Sequence, residues 1–404
     1  MTKNKMVAAL DIGTSKVVVL IGEIVRGKSL QIVGFAQVPC TGVCKGDIVD
    51  FKAVSNSVHK ALDMAEKNAK AKVDYVYLSL SGTHIYGFLN TGVVTVTAAD
   101  NRVSQADIQR VDENAKAKQL ATDRVYIHHI RQAYLLDDKK VANPYMMHGE
   151  RLQASFWSIC GNAKKIRDCI HIVNGFGLKV ENVVLASVAA GRVVTTESER
   201  MHGVAVLDIG CGTSDFILYK DGYALRTGII PVGGDHLTND LSLGLRVHLD
   251  CAEGIKKDYG KAFIDSFDKQ EPLTCQDGGL LKQRSIPKEA VYQILNARVL
   301  ELGQIVHQSL QAWMKPALLP AGVVITGGSS RLRGIETVLS QALGVGVRVG
   351  HNPSWASERL QAPEYSTVLG LLQAALSDMG VEELGPKAGD LTFLAKVRRL
   401  FRPN

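Results

Sequence analysis

Two short stretches carry the residues best suited to chemistry. Residues 11–16 read Asp-Ile-Gly-Thr-Ser-Lys, and residues 208–215 read Asp-Ile-Gly-Cys-Gly-Thr-Ser-Asp. Each lies between two apolar runs, so each reads as a tight hairpin joining two strands. Gly, Thr and Ser in such a turn present backbone N–H groups and hydroxyls to phosphate oxygens. Glycine is needed where a ligand approaches the backbone or φ is positive. Asp11 and Asp208, acceptor-only groups at strand ends, are placed to hold a hydrated Mg²⁺ ion through water. Lys16 is placed to neutralise phosphate charge. One such loop alone reads first as an ordinary Gly/Thr/Ser turn. Two copies, each opening a candidate lobe, favour a nucleotide held between duplicated halves. Neither loop matches a Walker A or dinucleotide-binding pattern.

A third stretch, "VVITGGSSRLRG" (323–334), is a strand running into Gly327-Gly328-Ser329 and then a helix. Bare backbone there lets a flat adenosine lie close. In "AEGIKKDYG" (252–260), Glu253 and Lys256 share a helix face at i, i+3, placed to grip ribose hydroxyls and base. Taken alone, that pair reads as a solvated surface ion pair.

The elements that must position these groups alternate in an α/β order. Strands are expected over 6–12, 16–25 and 29–38, with Arg26-Gly-Lys-Ser29 as the turn between the last two. A helix over 53–70 puts Val54, Val58, Ala61, Leu62 and Ala65 on one face, and a buried strand follows at 73–82. Residues 84–163 change character: a strand pair at 85–97, a polar helix at 104–120, and strands at 124–137 and 151–161. The segment reads as an inserted α+β subdomain, because a helix and a strand then resume the earlier pattern. Residues 203–234 repeat the opening hairpins. A polar irregular stretch (265–287) precedes a long helix from Lys288 to about Met314, and a Gly/Pro/acidic linker precedes the last short segment.

The bulk composition sets limits. A chain of 404 residues exceeds what one core usually supports, so two lobes are expected. With 46% hydrophobic and 22% charged residues it is an ordinary globular composition. A net charge of +7 permits anionic partners without requiring them. Seven cysteines without a paired framework indicate reduced thiols, and no Cys/His spacing suggests a zinc site. The N-terminal apolar run ends at Asp11 and reads as a strand, not a signal peptide. No run is long enough to span a bilayer. Basic residues are dispersed and not interleaved with aromatics, so no nucleic-acid partner is expected.

The paired phosphate motifs, "TGGSS" and the acidic-x-x-basic helix resemble the superfamily of actin, DnaK-type chaperones and sugar kinases. Within it the chain resembles, over essentially its full length, the FtsA family of bacterial division proteins. The specific marks are "DIGTSK", "KGDIVD" (45–50), "YSTVLGLL" (365–372), the insert in place of actin's usual subdomain, and the basic amphipathic end. The resemblance implies a bilobed, duplicated ribonuclease H-like, actin-like fold with an inserted subdomain, 1C. It divides the chain into 1–83 and 164–202 (lobe 1A), 84–163 (1C), 203–235 and 300–377 (lobe 2A), 236–299 (2B), a linker at 378–390, and a membrane-targeting helix at 391–404. It implies an ATP- and Mg²⁺-binding protein that self-associates into filaments. Such a protein tethers the tubulin-like ring protein FtsZ to the cytoplasmic face of the inner membrane at the septum, and helps recruit later divisome proteins. Carried over, Asp11, Gly13, Thr14, Ser15 and Lys16 form the first phosphate motif. Asp208, Gly210, Gly212, Thr213 and Asp215 form the second, Gly327, Gly328 and Ser329 the adenosine motif, and Glu253 with Lys256 the ribose-side pair.

Three further expectations concern the tail, a partner site and turnover. In "FLAKVRRLF", Phe393, Leu394, Val397, Leu400 and Phe401 form one helical stripe flanked by Lys396, Arg398, Arg399 and Arg402. Such a stripe suits a membrane interface with anionic lipids. Without the resemblance, a helix docked on its own domain or a merely basic tail fits equally. Arg298, with Glu301 beside it, falls where the family carries an arginine that meets the acidic C-terminal tail of FtsZ. Read alone it is an ordinary exposed helix arginine. The helix entering the cleft from the first lobe starts "LASVAAG", with Ala186 and Ser187 where many hydrolysing relatives have Glu-Pro, so slow or absent hydrolysis is expected. Cys211 stands where the family commonly has glycine, expected to narrow φ and add bulk. A sugar kinase would need a catalytic base and sugar pocket that the sequence does not show. A PilM-like pilus-assembly protein would not need the lipid-binding tail.

Overall fold

The N-terminal strand Lys5–Ile12 is apolar on both faces because both faces are covered, and Val7, Ala8, Ala9 and Leu10 are all buried. It pairs antiparallel with Lys16–Val25, which pairs antiparallel with Ser29–Pro39; on its other edge it runs parallel to Tyr75–Leu80, then Lys179–Leu185. The second lobe repeats this connectivity strand for strand. Val204–Ile209, Ser214–Lys220 and Tyr223–Ile230 form the antiparallel half, and Val323–Thr326 and Val347–Val349 the parallel half. This duplicated α/β, actin-like fold is seen in a computed structural model that describes residues 5–25, 29–263, 272–276 and 283–378. The expected turn at 26–29 falls largely outside the described residues, as does everything after Asp378, including the whole tail stripe.

The helix Phe51–Ala69 buries Val54, Val58, Ala61, Leu62 and Ala65, the face its spacing predicts. Asp50 caps it by accepting from Ala53 N. Between Tyr75–Leu80 and the helix Ala163–Asn174 lies the insert, a second five-stranded sheet with the helix Gln105–Lys116 packed on it. Its small core includes Val103, Ile108, Val111, Leu152 and Phe156. Two local expectations change. Residues 85–97 are one strand, Tyr86–Thr95, because its partner is the distant Arg151–Asn162, in register from Tyr86↔Cys160 to Thr95↔Arg151. Residues 124–137 are two strands, Arg124–Arg131 and Tyr134–Leu136, separated where Gln132 N donates to Ser155 O.

In the second lobe the expected irregular stretch includes a two-stranded ladder, Pro272–Gln276 with Gln283–Pro287. The long helix ends at Ser309, not near Met314, and runs unbroken through the 299/300 division expected within this lobe.

The C-terminal helix Ser366–Asp378 also departs from expectation. Its buried Val368, Leu369, Leu371, Leu372 and Leu376 belong to the first lobe's core, although its sequence position groups it with the second. It packs on the helix Ala186–Val194 so closely that a Cβ on Gly370 would lie 2.0 Å from Ala189 O. Only glycine allows that backbone contact. Its first residue is bonded to the second lobe, with Ser366 Oγ 2.7 Å from both Thr326 Oγ1 and Asn352 Oδ1, so the helix links the two lobes.

Candidate functional site

The two hairpin turns are built alike. Gly13 N donates to Lys16 O and Gly210 N to Thr213 O, both at 2.9 Å, and the flanking strands close at Ile12↔Val17 and Ile209↔Ser214. This register makes Cys211 the counterpart of Thr14, and Asp208 that of Asp11. It also shows where the copies differ. Asp11 faces Val18 across its ladder, whereas Asp208 faces a second carboxylate, Asp215. Like charges directly opposed in a ladder are unfavourable.

The loops meet across a cleft of about 790 Å³ between the lobes. Its walls include Asp11, Gly13, Thr14, Ser15, Lys16, Asp208, Gly210, Gly212, Thr213, Asp215, Glu253, Lys256, Gly327, Gly328 and Ser329. Every nucleotide-site residue singled out in the sequence thus faces one space. Glycine serves close approach here more than positive φ. Gly13, Gly210 and Gly212 all lack positive φ, but a Cβ on Gly212 would lie 2.6 Å from Thr14 Oγ1 in the opposite loop. Gly327 needs both: its φ is +84°, and a Cβ there would lie 2.3 Å from Asp208 Oδ1. Cys211 also lacks positive φ, so the expected backbone narrowing does not arise. Its Sγ donates to Asp235 Oδ1 at 2.5 Å, while Asp235 N donates to Cys211 O at 2.9 Å. Burial, then Asp235, pushes the thiol up to about 12.

The cleft interior is rich in carboxylate. Burial raises Asp11, offset in part by a hydrogen bond from Ser79 Oγ and by Lys16. Burial raises Asp208 to about 6 against the donation of Thr367 Oγ1 to Oδ2 at 3.0 Å. Asp215 is raised to about 7, again chiefly by burial. Both its oxygens are buried without a well-aligned partner, although the hydroxyls of Ser81 and Thr213 lie near enough to hold it lower than burial alone would. Burial lowers Lys16, opposed by Glu364, Asp11 and Asp208, and its ammonium lies 5.2 Å from the Tyr365 ring centroid. Asp11 and Asp208 beside this lysine, with Asp215 opposite Asp208, are acceptors suited to a divalent cation, which would restore their charged forms. Among the described residues no three His, Cys, Asp or Glu side chains are grouped closely enough to hold a metal ion by themselves.

Glu253 and Lys256 are not a free surface pair. Lys256 Nζ lies 2.6 Å from Glu253 Oε2 and donates to Thr238 Oγ1 and Gly234 O at 2.7 and 3.0 Å. Burial raises Glu253, but hydrogen bonds from Lys256 and Thr238 outweigh it and hold the acid down to about 2. Ala186 lines the cleft at the start of its helix, which has no acidic residue in its first turn. Arg298 lies away from the cleft, paired in a fork with Asp240 (Nη2 to Oδ1 2.9 Å) and with Glu301. Sequence reasoning missed Asp240, as it missed Ser79, Ser81, Glu364 and Thr367 in the cleft. Ser79 and Ser81 were findable as hydroxyls closing the buried strand beside Asp11's. Thr367 lies within the "YSTVLGLL" stretch, but nothing in that stretch assigned its hydroxyl to the cleft.

Sequence comparison is decisive about kinship. A protein 35% identical over 377 residues, covering 92% of this chain and 91% of its own length, is the cell division protein FtsA of Neisseria meningitidis serogroup B. The chain belongs to the FtsA family of cell division proteins. Its relatives in Bacillus subtilis (30% identical, 96% and 87% covered) and Escherichia coli K12 (31%, 92% and 90%) carry the same description. Family models match residues 205–370 as cell division protein FtsA and residues 82–160 as the SHS2 domain inserted in FtsA. Similar folds include the PilM–PilN type IV pilus biogenesis complex (TM-score 0.63, 18% identity, 93% and 99% covered). Another is MreB5 of Spiroplasma citri bound to ADP (0.55, 14%, 94% and 99%). The similar folds show the actin-like architecture, and the SHS2 match shows its inserted subdomain.

The buried acids predict a pH dependence. A carboxyl whose folded pKa lies above its unfolded value near 3.8 stabilises the fold fully below that value, and the contribution is lost as pH rises through the folded pKa. Without metal or nucleotide, the chain should lose stability from about pH 4 to pH 7 through these groups. Thermal melts in EDTA should show Asp215→Asn flattening the upper part of that decline. An unchanged slope would remove Asp215 from the cause.

Proposed function

We propose that this FtsA-family chain binds ATP with Mg²⁺ in the cleft, self-associates into filaments, and fastens the FtsZ ring to the cytoplasmic face of the inner membrane at the division septum. It would thereby help recruit later divisome proteins. The observation that carries the nucleotide part is the convergence of both phosphate hairpins, the Gly327–Ser329 turn and the Glu253–Lys256 pair on one interlobe cleft. Backbone N–H groups and hydroxyls of the two turns bind the phosphates, Lys16 balances their charge, and Gly327-Gly328 receive the adenosine. Glu253, kept ionised by Lys256 and Thr238, accepts from ribose hydroxyls. Asp11 and Asp208 would hold Mg²⁺, which would supply neutralisation of the polyphosphate.

The membrane part rests on the sequence stripe Phe393, Leu394, Val397, Leu400 and Phe401 and its flanking cations. Full burial is worth roughly 1.5–3 kcal/mol per large apolar side chain, and each nearby cation adds about 1 kcal/mol. Burial in an interface is partial and ordering the segment costs entropy, so one copy binds modestly and a filament gains by avidity. Among the described residues no helix is long and apolar enough to cross a membrane.

Three outcomes test this reading. Full-length protein should pellet with anionic vesicles and carry FtsZ with it, whereas a chain ending at Asp390 should not; equal pelleting of both would sink the anchor. Arg298→Glu should weaken binding of an FtsZ C-terminal peptide by about tenfold or more, in line with loss of a charge-assisted contact. Because Arg298 is already forked onto Asp240, melts of the variant must accompany the titration, and unchanged peptide affinity would remove the site. Phosphate release by pure protein should be slow or absent, given Ala186 and Ser187 at the entering helix. Brisk steady-state release would contradict that expectation.

A further inference from the structure

In the first lobe the strand-end acid Asp11 takes its hydrogen bond from Ser79, one step beyond the Leu10↔Leu78 pair on the adjacent parallel strand. The duplicated second lobe should supply Asp208 in the same way. Its adjacent parallel strand does place Thr326 opposite Asp208. Yet Thr326 Oγ1 is engaged elsewhere, with Pro363 O at 3.0 Å and Ser366 Oγ at 2.7 Å. The hydroxyl that reaches Asp208 Oδ2 is that of Thr367, at 3.0 Å, from the first turn of the helix Ser366–Asp378.

That substitution of one donor for another has a mechanical consequence. Ser79 is part of the same sheet as the acid it serves, so its position is fixed by the ladder. Thr367 is carried by a helix packed in the other lobe's core, with Gly370 against the backbone of Ala189. The helix start is held by Ser366, whose Oγ reaches Asn352 Oδ1 at 2.7 Å. Its far end is tied to the first lobe by Asn182 Nδ2 to Asp378 Oδ2 at 3.1 Å and Arg192 Nη2 to Ser377 Oγ at 3.2 Å. Asp208 is therefore oriented by a helix bridging both lobes, and the chain beyond that helix leads to the amphipathic tail.

We propose that Thr367 is a positioning residue for the metal-bound nucleotide, holding Asp208 so that seating of the C-terminal helix and orientation of this carboxylate are one event. This rests on the nucleotide reading above and deepens it. Cys211 is turned to Asp235, and Ser329 Oγ donates to Gly210 O at 2.9 Å, so neither of these serves Asp208.

The test titrates full-length protein with the ATP analogue AMPPNP, with Mg²⁺ and with EDTA, and follows hydrogen exchange of the amides in 368–378. Thr367→Val should lose roughly tenfold in affinity with Mg²⁺, the scale of one charge-assisted hydrogen bond, and under about twofold in EDTA. Thr367→Ser should restore the Mg²⁺-dependent affinity. Mg-AMPPNP should slow exchange over 368–378 in wild type and Thr367→Ser, but not in Thr367→Val. Thr326→Val, which removes a hydroxyl from the same corner but none that bonds the Asp208 carboxylate, should alter affinity alike in both conditions. Equal loss with and without Mg²⁺ for Thr367→Val, or wild-type affinity and exchange, overturns the proposal. Failure of wild-type protein to bind AMPPNP at all overturns the nucleotide reading itself, and this inference with it.

Discussion

The structure turns on a costly arrangement: the desolvated carboxylates Asp11 and Asp208 beside Lys16, with the buried Asp215 next to Asp208, between two lobes. Desolvation pushes all three acids upward, and the cross-strand pairing of Asp208 with Asp215 adds like-charge repulsion. A fold optimised only for stability would not place them there. The surrounding architecture is what such a cluster requires. Parallel strands end at a common edge, tight turns keep side-chain bulk out, and hydroxyls from neighbouring elements partly satisfy each acid. Perturbed groups concentrated in one cleft are the physical signature of a site kept for binding.

Duplication explains how the site is built, and divergence between the copies explains how it is used. The two sheets share their connectivity and the two turns share their hydrogen bond and register. They differ in three places. The first turn carries Lys16, and the second carries an additional acid, Asp215. The donor to the strand-end acid comes from the adjacent strand in the first lobe and from an interlobe helix in the second. The first turn thus contributes a cation, while the second lobe adds an acid beside its strand-end carboxylate and takes that carboxylate's donor from a helix.

The insert is more than a decoration on the first lobe. Trp157 Nε1 donates to Thr227 Oγ1 at 3.0 Å in a buried bond, and Lys140 lies 3.1 Å from Asp221, so its sheet also touches the second lobe's edge hairpin. At its root, a Cβ on Gly46 would lie 2.4 Å from Gly82 Cα, and Lys165 pairs with Asp47 at 2.6 Å. The "KGDIVD" segment that marks the family is therefore packed against both ends of the insert. Motif residues with no evident chemistry here serve as joints.

What the sequence determined by itself was local and periodic. Strand runs such as Lys5–Ile12, the buried face of Phe51–Ala69, and the two Asp-Gly-hydroxyl turns are written in composition over a few residues, because each is set by side-chain burial and backbone geometry nearby. From these the α/β duplication and the cleft-lining residues were legible. Pairings between distant segments were not. The single strand Tyr86–Thr95 reads as two until Arg151–Asn162 lies beside it, and Arg298 reads as a free cation until Asp240 closes on it. Thr367 and the first-lobe packing of its helix were likewise decided by tertiary structure, since a hydrogen bond across 159 positions leaves no mark on local pattern. The sequence named the groups that face the cleft; only the folded chain fixed which neighbours hold them there, because those contacts join residues that share no periodicity.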